Sequence, residues 1–213
     1  MDERLKDLRS KKNPEARIKI MTGHFATRNS HLNTYIDMST VKTRHNNARE
    51  TAKVIAKEYA TTTYIDTIVC VDGTEVIGTF LAEILADTNP YSLSNGNNIS
   101  VVTPEINSQG QMMFRDNKVR MIVDKKILIL TDSLSTGKTI WHAINSVQYY
   151  GGDVVGIAAI FSTVTKVQDI EVKSIFKTSD LPGYATYERT ECPLCKQGRR
   201  VEALVNGFGY SKL

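Results

Sequence analysis

The stretch ILILTDSLSTGKTI, residues 127–140, decides the fold class of this chain. Its first four residues are aliphatic on both faces, which is typical of a strand that is covered on both sides in a parallel sheet. The residues that follow the polar segment recur at helical spacing, namely Ile140, Trp141, Ile144 and Val147. The polar residues between the two patterns therefore form a turn from a strand into a helix.

The same alternation recurs along the chain. The segments IDTIVCV (65–71), ISVVT (99–103) and VVGIAAIF (154–161) are predicted strands, and HNNARETAKVIAKEYATTT (45–63) is a predicted helix. Because strands alternate with helices, we predict an α/β fold with a mostly parallel central sheet flanked by helices. Residues 2–12 are predicted to form a short helix that ends before Pro14.

Length and composition limit the classes of function. A chain of 213 residues with 41% hydrophobic and 23% charged residues indicates one globular domain with small elaborations. The net charge of +4 suits a phosphate-rich small ligand, but no dense basic block or helix-turn-helix indicates nucleic-acid binding. No apolar run has transmembrane length, so no membrane contact is expected. The polar start and three cysteines favour a reducing cytoplasm.

The turn after the strand at 127–130 has the chemistry of a phosphate site. It combines free backbone N–H groups, hydroxyl side chains and the positive end of a helix dipole. A nucleotide-triphosphatase loop needs glycine where this chain has Asp132, which argues against a P-loop kinase. A carboxylate there can instead accept hydrogen bonds from two ribose hydroxyls, while the turn holds a 5′-phosphate. The alternative is an ordinary helix start with Ser135 or Thr136 as N-cap.

A second turn, Asp72-Gly73-Thr74-Glu75, follows the strand that ends at Val71. Ligands of open α/β sheets bind beyond the carboxyl ends of the strands, so this turn is expected to face the same crevice as Asp132. Glycine lets the backbone approach an anion closely. The carboxylates of Asp72 and Glu75 can hold Mg²⁺, directly or through water. The alternative is a plain turn in which Asp72 caps a helix.

Four segments together resemble the type I phosphoribosyltransferases, and most closely the orotate phosphoribosyltransferase branch: ILILTDSLSTGKT, VCVDGTEVIG, TGHFATRNSHLNTYIDMS and the late CPLC of ECPLCKQG. The resemblance implies transfer of ribose-5-phosphate from phosphoribosyl pyrophosphate (PRPP) to a nucleobase, Mg²⁺ dependence and a homodimer. It also implies one domain, 1–213, with a base-side element (1–45), an α/β core (46–190) and a C-terminal CxxC tail (191–213).

The resemblance assigns roles to particular residues. Asp132 is the implied catalytic residue, which binds the ribose hydroxyls and contacts Mg²⁺ through ribose or water. The residues implied to bind PRPP are Thr131, Asp132, Ser133, Ser135, Thr136, Gly137, Lys138 and Thr139. Those implied to face pyrophosphate are Asp72, Gly73, Thr74, Arg115 and Lys118.

Three departures from the family pattern limit the choice of function. The family usually has two adjacent acids, but here Thr131 replaces the first. Orotate enzymes carry a mobile loop rich in Lys, Arg and His, where this chain has TPEINSQGQMMFRDNKVRM (103–121), a predicted loop or hairpin after Thr103. Orotate enzymes carry a lysine and an arginine where this chain has Met21 and Thr163, and an unpaired buried carboxylate is costly. These replacements argue against orotate and leave a neutral base as the acceptor. A non-catalytic sensor of PRPP or of a nucleotide remains the alternative.

The pair Cys192 and Cys195 has the spacing of a zinc knuckle. A structural zinc site wants four ligands, and the only other cysteine, Cys70, lies in a predicted buried strand. The histidines show no paired spacing, so His24 and His31 are interpreted as structural residues. The sequence favours a simple reduced turn over a zinc site and leaves metal binding open.

Overall fold

The computed structural model describes residues 2–28, 30–88, 98–107 and 111–213. The strands in these ranges are β1 (Lys6–Arg9), β2 (Arg17–Ala26), β3 (His31–Asp37), β4 (Thr67–Cys70), β5 (Ser100–Val102), β6 (Glu105–Ile106), β7 (Met112–Met113), β8 (Lys126–Leu134), β9 (Asp153–Ser162), β10 (Lys166–Val167), β11 (Ile170–Lys177), β12 (Thr186–Tyr187), β13 (Ala203–Asn206) and β14 (Gly209–Lys212). The α-helices are α1 (Ser39–Thr43), α2 (His45–Ala56), α3 (Glu75–Thr88), α4 (Asp116–Val119), α5 (Lys138–Tyr149) and α6 (Pro193–Lys196). Short 3₁₀ helices span Asp2–Arg4, Thr178–Asp180 and Arg189–Glu191.

The central sheet has the strand order β10-β11-β9-β8-β4-β5. All pairs from β11 to β5 are parallel, and only the edge strand β10 is antiparallel. Strands β4 and β8 lie side by side in the middle of this sheet, where both faces are covered, and their side chains from Ile68 to Cys70 and from Ile127 to Leu130 are fully buried. The predicted fold class, an α/β fold with a mostly parallel sheet, is confirmed.

Helices cover both faces of the central sheet because each presents an apolar stripe to it. On one face, α2 and α3 pack with Ile55, Ile77 and Leu81 against the sheet. On the other face, α5 buries Ile140, Ile144 and Val147 of the predicted apolar stripe. Trp141, which the same pattern included, is 48% exposed. These apolar layers fix the strand ends, and therefore the turns after β4 and β8, in a common frame.

A second sheet joins the two ends of the chain. Its order is β12-β3-β2-β13-β14, and β1 pairs with the first half of β2. Strand β13 pairs in parallel with the end of β2, through Ala203 opposite Phe25. The segments 1–45 and 191–213 thus share one sheet, and the predicted division into three parts stays a prediction.

Two single elements bear on the sequence-based predictions. The helix predicted over residues 2–12 is wrong, because this segment forms a short 3₁₀ turn and then β1, which gains a ladder of backbone hydrogen bonds with β2. The loop or hairpin predicted after Thr103 is the hairpin of β6 and β7, with residues 108–110 outside the described part. Among the described helices, none combines the length and apolarity needed to span a bilayer.

Candidate functional site

The turns after β4 and β8 meet at one edge of the central sheet. The two strands are parallel neighbours, so their carboxyl ends emerge on the same side. Strand β8 continues beyond the predicted end at Leu130 and carries Thr131 and Asp132 as strand residues. The Thr131 hydroxyl donates a hydrogen bond to the Asp72 carboxylate at 2.9 Å. This contact joins the two turns that the sequence placed around one crevice.

Asp132 is a buried carboxylate with a cation beside it. Asp132 is 3% exposed, and its Oδ2 accepts a hydrogen bond from Lys42 Nζ at 2.8 Å. Its Oδ1 accepts a hydrogen bond from the hydroxyl of Ser133 at 3.0 Å. The charge of Asp132 is therefore paired, as a buried charge requires.

Lys42 is the site residue that the sequence analysis missed. Its ammonium group donates to three acceptors from different parts of the chain: Asp132, the Asp72 carbonyl at 3.0 Å and the Gly207 carbonyl at 2.5 Å. An ammonium group has three N–H donors, so this geometry satisfies it fully. Lys42 comes from α1, far in sequence from both turns, and no motif marks it.

The turn after β4 has a strained backbone and an unusual carboxylate. Asp72 has φ of 58° and Gly73 has φ of 77°, and positive φ at a residue other than glycine is uncommon. The Asp72 residue is open to solvent, yet desolvation of its carboxylate by surrounding protein, together with the charge of Asp132, raises its pKa. Hydrogen bonding to Thr131 and the charge of Lys42 oppose this rise in pKa. The turn thus brings a second carboxylate close to Asp132.

Thr74 has a structural role in the same turn. Its fully buried hydroxyl donates to the carbonyls of Val71, at 2.9 Å, and Leu130, at 3.0 Å. The Thr74 carbonyl accepts the first helical hydrogen bond from Gly78, so Thr74, and not Asp72, caps this helix. The alternative that Asp72 is a helix cap is wrong. Contact between Thr74 and a ligand would involve its backbone, because its hydroxyl is engaged between the strands.

The turn after β8 ends in an uncapped helix. Helix α5 begins after Gly137, which has φ of 76°, and no described side chain donates or accepts a capping hydrogen bond there. The alternative in which Ser135 or Thr136 is the N-cap is therefore wrong. The side chains of Ser135, Thr136, Lys138 and Thr139 are all exposed. Helix N-termini leave N–H groups without intrahelical partners, and these groups are available to an anion.

Two further contacts define the surroundings of this turn. The Thr163 hydroxyl donates to the Ser135 carbonyl at 2.7 Å and thereby ties the end of β9 to the turn. A cleft of about 320 Å³ borders the turn and is lined by Gly137, Trp141 and Lys166, among others. The turn is thus held in shape on one side and open on the other.

The cations predicted to face pyrophosphate are engaged elsewhere in this structure. Arg115 donates two hydrogen bonds of 2.7 Å to Glu105, and this pairing raises the pKa of the guanidinium and lowers that of the carboxyl. Lys118 donates to the Thr103 carbonyl at 3.1 Å, and the Thr103 hydroxyl donates to Glu75 at 3.1 Å. Lys118 is therefore linked to the start of α3, whereas the charge of Arg115 is compensated within the β6–β7 region.

The base side of the crevice lacks a cation at the two positions that the resemblance singles out. Met21 is 1% exposed and packs with Phe25 and Tyr35 in the core of the second sheet. Thr163 is engaged by the turn after β8. Burial raises the pKa of Tyr35, and the charges of Asp37 and Asp132 add to this rise, so Tyr35 remains a neutral phenol.

Comparison with known proteins supports the resemblance. No family model matches the chain. The orotate phosphoribosyltransferase of Caldanaerobacter subterraneus subsp. tengcongensis is 34% identical over 76 residues, which is 35% of this chain and 38% of that enzyme. The chain is thus matched over little more than a third of the length of this curated relative.

Solved structures share the fold. The orotate phosphoribosyltransferase of Mycobacterium tuberculosis H37Rv in complex with PRPP aligns with a TM-score of 0.52 at 17% identity, over 69% of this chain and 82% of that chain. The adenine phosphoribosyltransferase of Thermoanaerobacter pseudethanolicus aligns with a TM-score of 0.51 at 14% identity, over 83% of this chain and 96% of that chain. The predicted resemblance is confirmed at the level of the fold: the chain has the fold of these type I phosphoribosyltransferases.

Proposed function

We propose that this divergent relative of the type I phosphoribosyltransferases transfers ribose-5-phosphate from PRPP to a ring nitrogen of a nucleobase. A carbon–nitrogen bond forms at the anomeric carbon, the bond from that carbon to pyrophosphate breaks, and the base nitrogen loses its proton to solvent. One observation carries the proposal: buried Asp132 and the uncapped turn 135–139 lie together at the carboxyl edge of a parallel sheet.

This arrangement matches a ribose-5-phosphate in its chemistry. A carboxylate accepts hydrogen bonds from two adjacent hydroxyls, as Asp132 would from the ribose diol. The hydroxyls of Ser135, Thr136 and Thr139 and the first N–H groups of α5 supply donors for the 5′-phosphate. The Lys42 ammonium holds the unliganded Asp132 in place, and the ribose shares or takes over this contact when it binds.

Asp72 and Asp132 are the residues that would hold Mg²⁺, directly or through water, because hard cations prefer carboxylate oxygens. Their proximity fits such an ion: desolvation, together with the charge of Asp132, raises the pKa of Asp72, and a divalent cation would relieve the repulsion between the two carboxylates. When bound, the ion supplies charge neutralisation for the departing pyrophosphate. The chain adds a fixed positive charge, Lys42, and the glycine backbone at Gly73, which an anion can approach closely.

Catalysis of the chemical step depends on the positioning of the reactants more than on a covalent intermediate with the protein. The sugar develops oxocarbenium character while negative charge develops on the leaving group, so the groups that stabilise charge must be preorganised. Asp132 and the phosphate turn fix the two ends of the ribose, and this positioning lowers the entropic part of the barrier. Lys42, next to both turns, contributes positive charge where pyrophosphate leaves.

We assign a neutral purine or pyrimidine as the acceptor. Met21 is buried in the core of the second sheet, and Thr163 offers only a hydroxyl, so a carboxylated base such as orotate would lack a cationic partner. The proposal also includes a homodimer, which rests on the resemblance, and a cytoplasmic location, which rests on the polar start and the three cysteines.

A non-catalytic sensor of PRPP or of a nucleotide is the second candidate. Two observations favour it: Thr131 stands in place of an acid, and Arg115 is paired with Glu105 instead of being free to meet pyrophosphate. A sensor needs the cradle of Asp132 and the turn, but it does not need the groups that stabilise the leaving charge.

Calorimetry and a pyrophosphate-release assay separate these candidates. PRPP with Mg²⁺ is titrated into wild type, Asp132→Asn and the control Asp153→Asn, whose carboxylate is exposed and pairs with Lys126. Binding that only Asp132→Asn abolishes, with pyrophosphate release on one base of a panel, supports the enzyme. Binding without release on any base supports the sensor. Equal binding by wild type and Asp132→Asn, or no binding by wild type, refutes the cradle.

A further inference from the structure

Four side chains outside the crevice form a compact cluster of nitrogen and sulfur atoms. They are His24 and His31 from β2 and β3, and Cys192 and Cys195 at the start of α6. One ligand atom from each lies within 4.8 Å of every other. The sequence favours a simple reduced turn because the histidines show no paired spacing. The fold nevertheless brings two histidines to the cysteines, although they lie more than 160 positions earlier in the chain.

The cluster has the dimensions of a tetrahedral site. Zinc binds nitrogen at about 2.0–2.1 Å and sulfur at about 2.3 Å, so the edges of its tetrahedron are about 3.4 Å between nitrogens and about 3.6 Å between nitrogen and sulfur. Here His24 Nε2 lies 3.0 Å from His31 Nδ1, 3.5 Å from Cys192 Sγ and 3.7 Å from Cys195 Sγ. The distance from Cys195 Sγ to His31 Nδ1 is 3.3 Å. These four separations are close to the edges of such a tetrahedron, so the cluster has room for one ion among its four ligand atoms.

The backbone around the cluster orients its ligands. The Nδ1 atom of His24 lies 2.8 Å from the Arg199 carbonyl, which can only accept a hydrogen bond, so Nδ1 carries the proton and Nε2 presents its lone pair to the cluster. Metal-binding histidines are held in this way by an acceptor behind the ring. His24 is 1% exposed and Cys192 is fully buried, so two of the four ligands are already desolvated.

The local folds of both segments are suited to bring the ligands together. The pairing of β2 with β3 shifts register between Thr22 and Phe25, and His24 lies in this irregularity. After Cys195, Gly198 takes φ of 74° and donates its N–H to the Cys195 carbonyl, which reverses the chain so that Arg199 reaches His24. The same turn therefore supplies two thiols and the carbonyl that fixes the histidine tautomer.

We propose that His24, His31, Cys192 and Cys195 bind one Zn²⁺ in a closed, structural site. Two imidazoles and two thiolates are a donor set that zinc takes in tetrahedral geometry, whereas Mg²⁺ and Ca²⁺ prefer oxygen ligands. All four positions are filled by the chain, so no open position exists for a substrate or a water nucleophile. The ion would fasten the β2–β3 hairpin to the C-terminal segment, independently of PRPP chemistry.

Metal content is the direct test. The full chain is expressed with zinc, purified under reducing conditions, dialysed against a weak chelator and analysed by elemental mass spectrometry. Wild type is expected to retain about one zinc per chain, and Cys195→Ser and His31→Asn are expected to lose most of it. The control His45→Asn changes an exposed histidine outside the cluster and is expected to retain zinc.

A second measurement does not depend on whether the variants fold. Wild type stripped of metal and reloaded with Co²⁺ should show the intense visible bands of tetrahedral cobalt with thiolate ligands, and a strong chelator should lower its melting temperature. Wild type without stoichiometric zinc, a Cys192–Cys195 disulfide in the purified chain, or zinc retention by a folded Cys195→Ser variant would each overturn the proposal. PRPP binding is not read in these experiments, so failure of the zinc site and failure of the proposed enzyme remain distinguishable.

Discussion

The pair of Lys42 and Asp132 offers the sharpest test of the electrostatics of the crevice. The change Lys42→Met removes the ammonium group but keeps most of the aliphatic side chain. The two charged atoms are 2.8 Å apart, and their side chains are only 11% and 4% exposed. The variant therefore leaves Asp132 buried with the Ser133 hydroxyl as its remaining described side-chain donor.

The size of the effect follows from this geometry. At an effective dielectric constant of about 20, two unit charges 2.8 Å apart attract each other by about 6 kcal/mol. Desolvation of both ions offsets much of this attraction in the intact protein, but removal of one partner leaves the cost for the other. Lys42→Met is therefore expected to lower the free energy of unfolding at pH 7 by about 3–5 kcal/mol.

Asp132→Asn should cost less, and the double variant should reveal the coupling. After this change Lys42 keeps the carbonyls of Asp72 and Gly207 as acceptors, so the expected loss is about 2 kcal/mol, the value of one charged hydrogen bond. With both charges gone, no ion is left unpaired. The double variant is expected to be more stable than the sum of the single losses predicts, by about 2–3 kcal/mol.

The loss in Lys42→Met should depend on pH. Lys42 lowers the pKa of Asp72, which burial and Asp132 raise above its ordinary value of 3.8, so the variant raises this pKa further. A carboxyl group whose pKa is raised by folding adds stability below its unfolded pKa and loses that contribution as pH rises through its folded pKa. The deficit of the variant should therefore be largest at neutral pH and shrink as the pH falls towards 3.8.

Urea unfolding, followed by fluorescence and circular dichroism at neutral and mildly acidic pH, measures these quantities. The control Lys126→Met removes the lysine of an exposed pair with Asp153 and should leave stability unchanged within the scatter of the method. If Lys42→Met is as stable as this control at pH 7, or if the double variant shows no coupling, the pair is not buried as described and the reasoning fails.

Three further substitutions, one of them with a matched control outside the site, probe the two turns. Gly137→Ala and its control Gly183→Ala each place a side chain at a φ of 76°, which costs about 1–2 kcal/mol of stability in each variant. Only Gly137→Ala also crowds Val167, at 3.1 Å, so only this variant should bind PRPP more weakly in calorimetry. Equal PRPP affinity in both variants would contradict the role of the turn. Thr131→Asp puts a carboxylate beside that of Asp72 and should lower the free energy of unfolding at pH 7 by about 4 kcal/mol in urea unfolding. Stability should recover at lower pH or in Mg²⁺. An unchanged unfolding midpoint would refute the contact between Thr131 and Asp72. Asp72→Asn removes a carboxyl group whose pKa is raised, so thermal unfolding should show a more stable chain at pH 7 and a gain in stability that shrinks towards pH 3.8. The same variant should abolish pyrophosphate release. A loss of stability at pH 7 would mean that the folded state favours the ionised carboxylate.

The central sheet could be predicted because its signals are local. The apolar run at residues 127–130 is typical of a strand that is covered on both faces in a parallel sheet, and the helical spacing after Thr139 predicts the helix that follows it. The segment over residues 2–12 was mispredicted for the opposite reason. Its charged residues suit a helix in isolation, but pairing with β2 decides its structure, and no local pattern reports a partner strand.

The site could be predicted only where its residues belong to motifs. Asp132, Gly137 and the turn after β4 are recognisable because a strand end and a helix start frame them. Lys42 stands in a short helix 90 positions before Asp132, and only the packing of that helix against both turns reveals its role. His24 and Cys192 are 168 positions apart and meet through the second sheet.

The contacts of the C-terminal segment connect these two missed features to the predicted site. From the cluster of His24, the chain runs through Arg199 into β13, which pairs with β2 next to that histidine. The turn after β13 then places the Gly207 carbonyl on the ammonium of Lys42, which in turn holds Asp132. Each link is a hydrogen bond or a strand ladder between segments distant in sequence. An ion in the cluster would therefore act on the crevice only by fixing β13 and its turn, and not through its charge, which the two thiolates would neutralise.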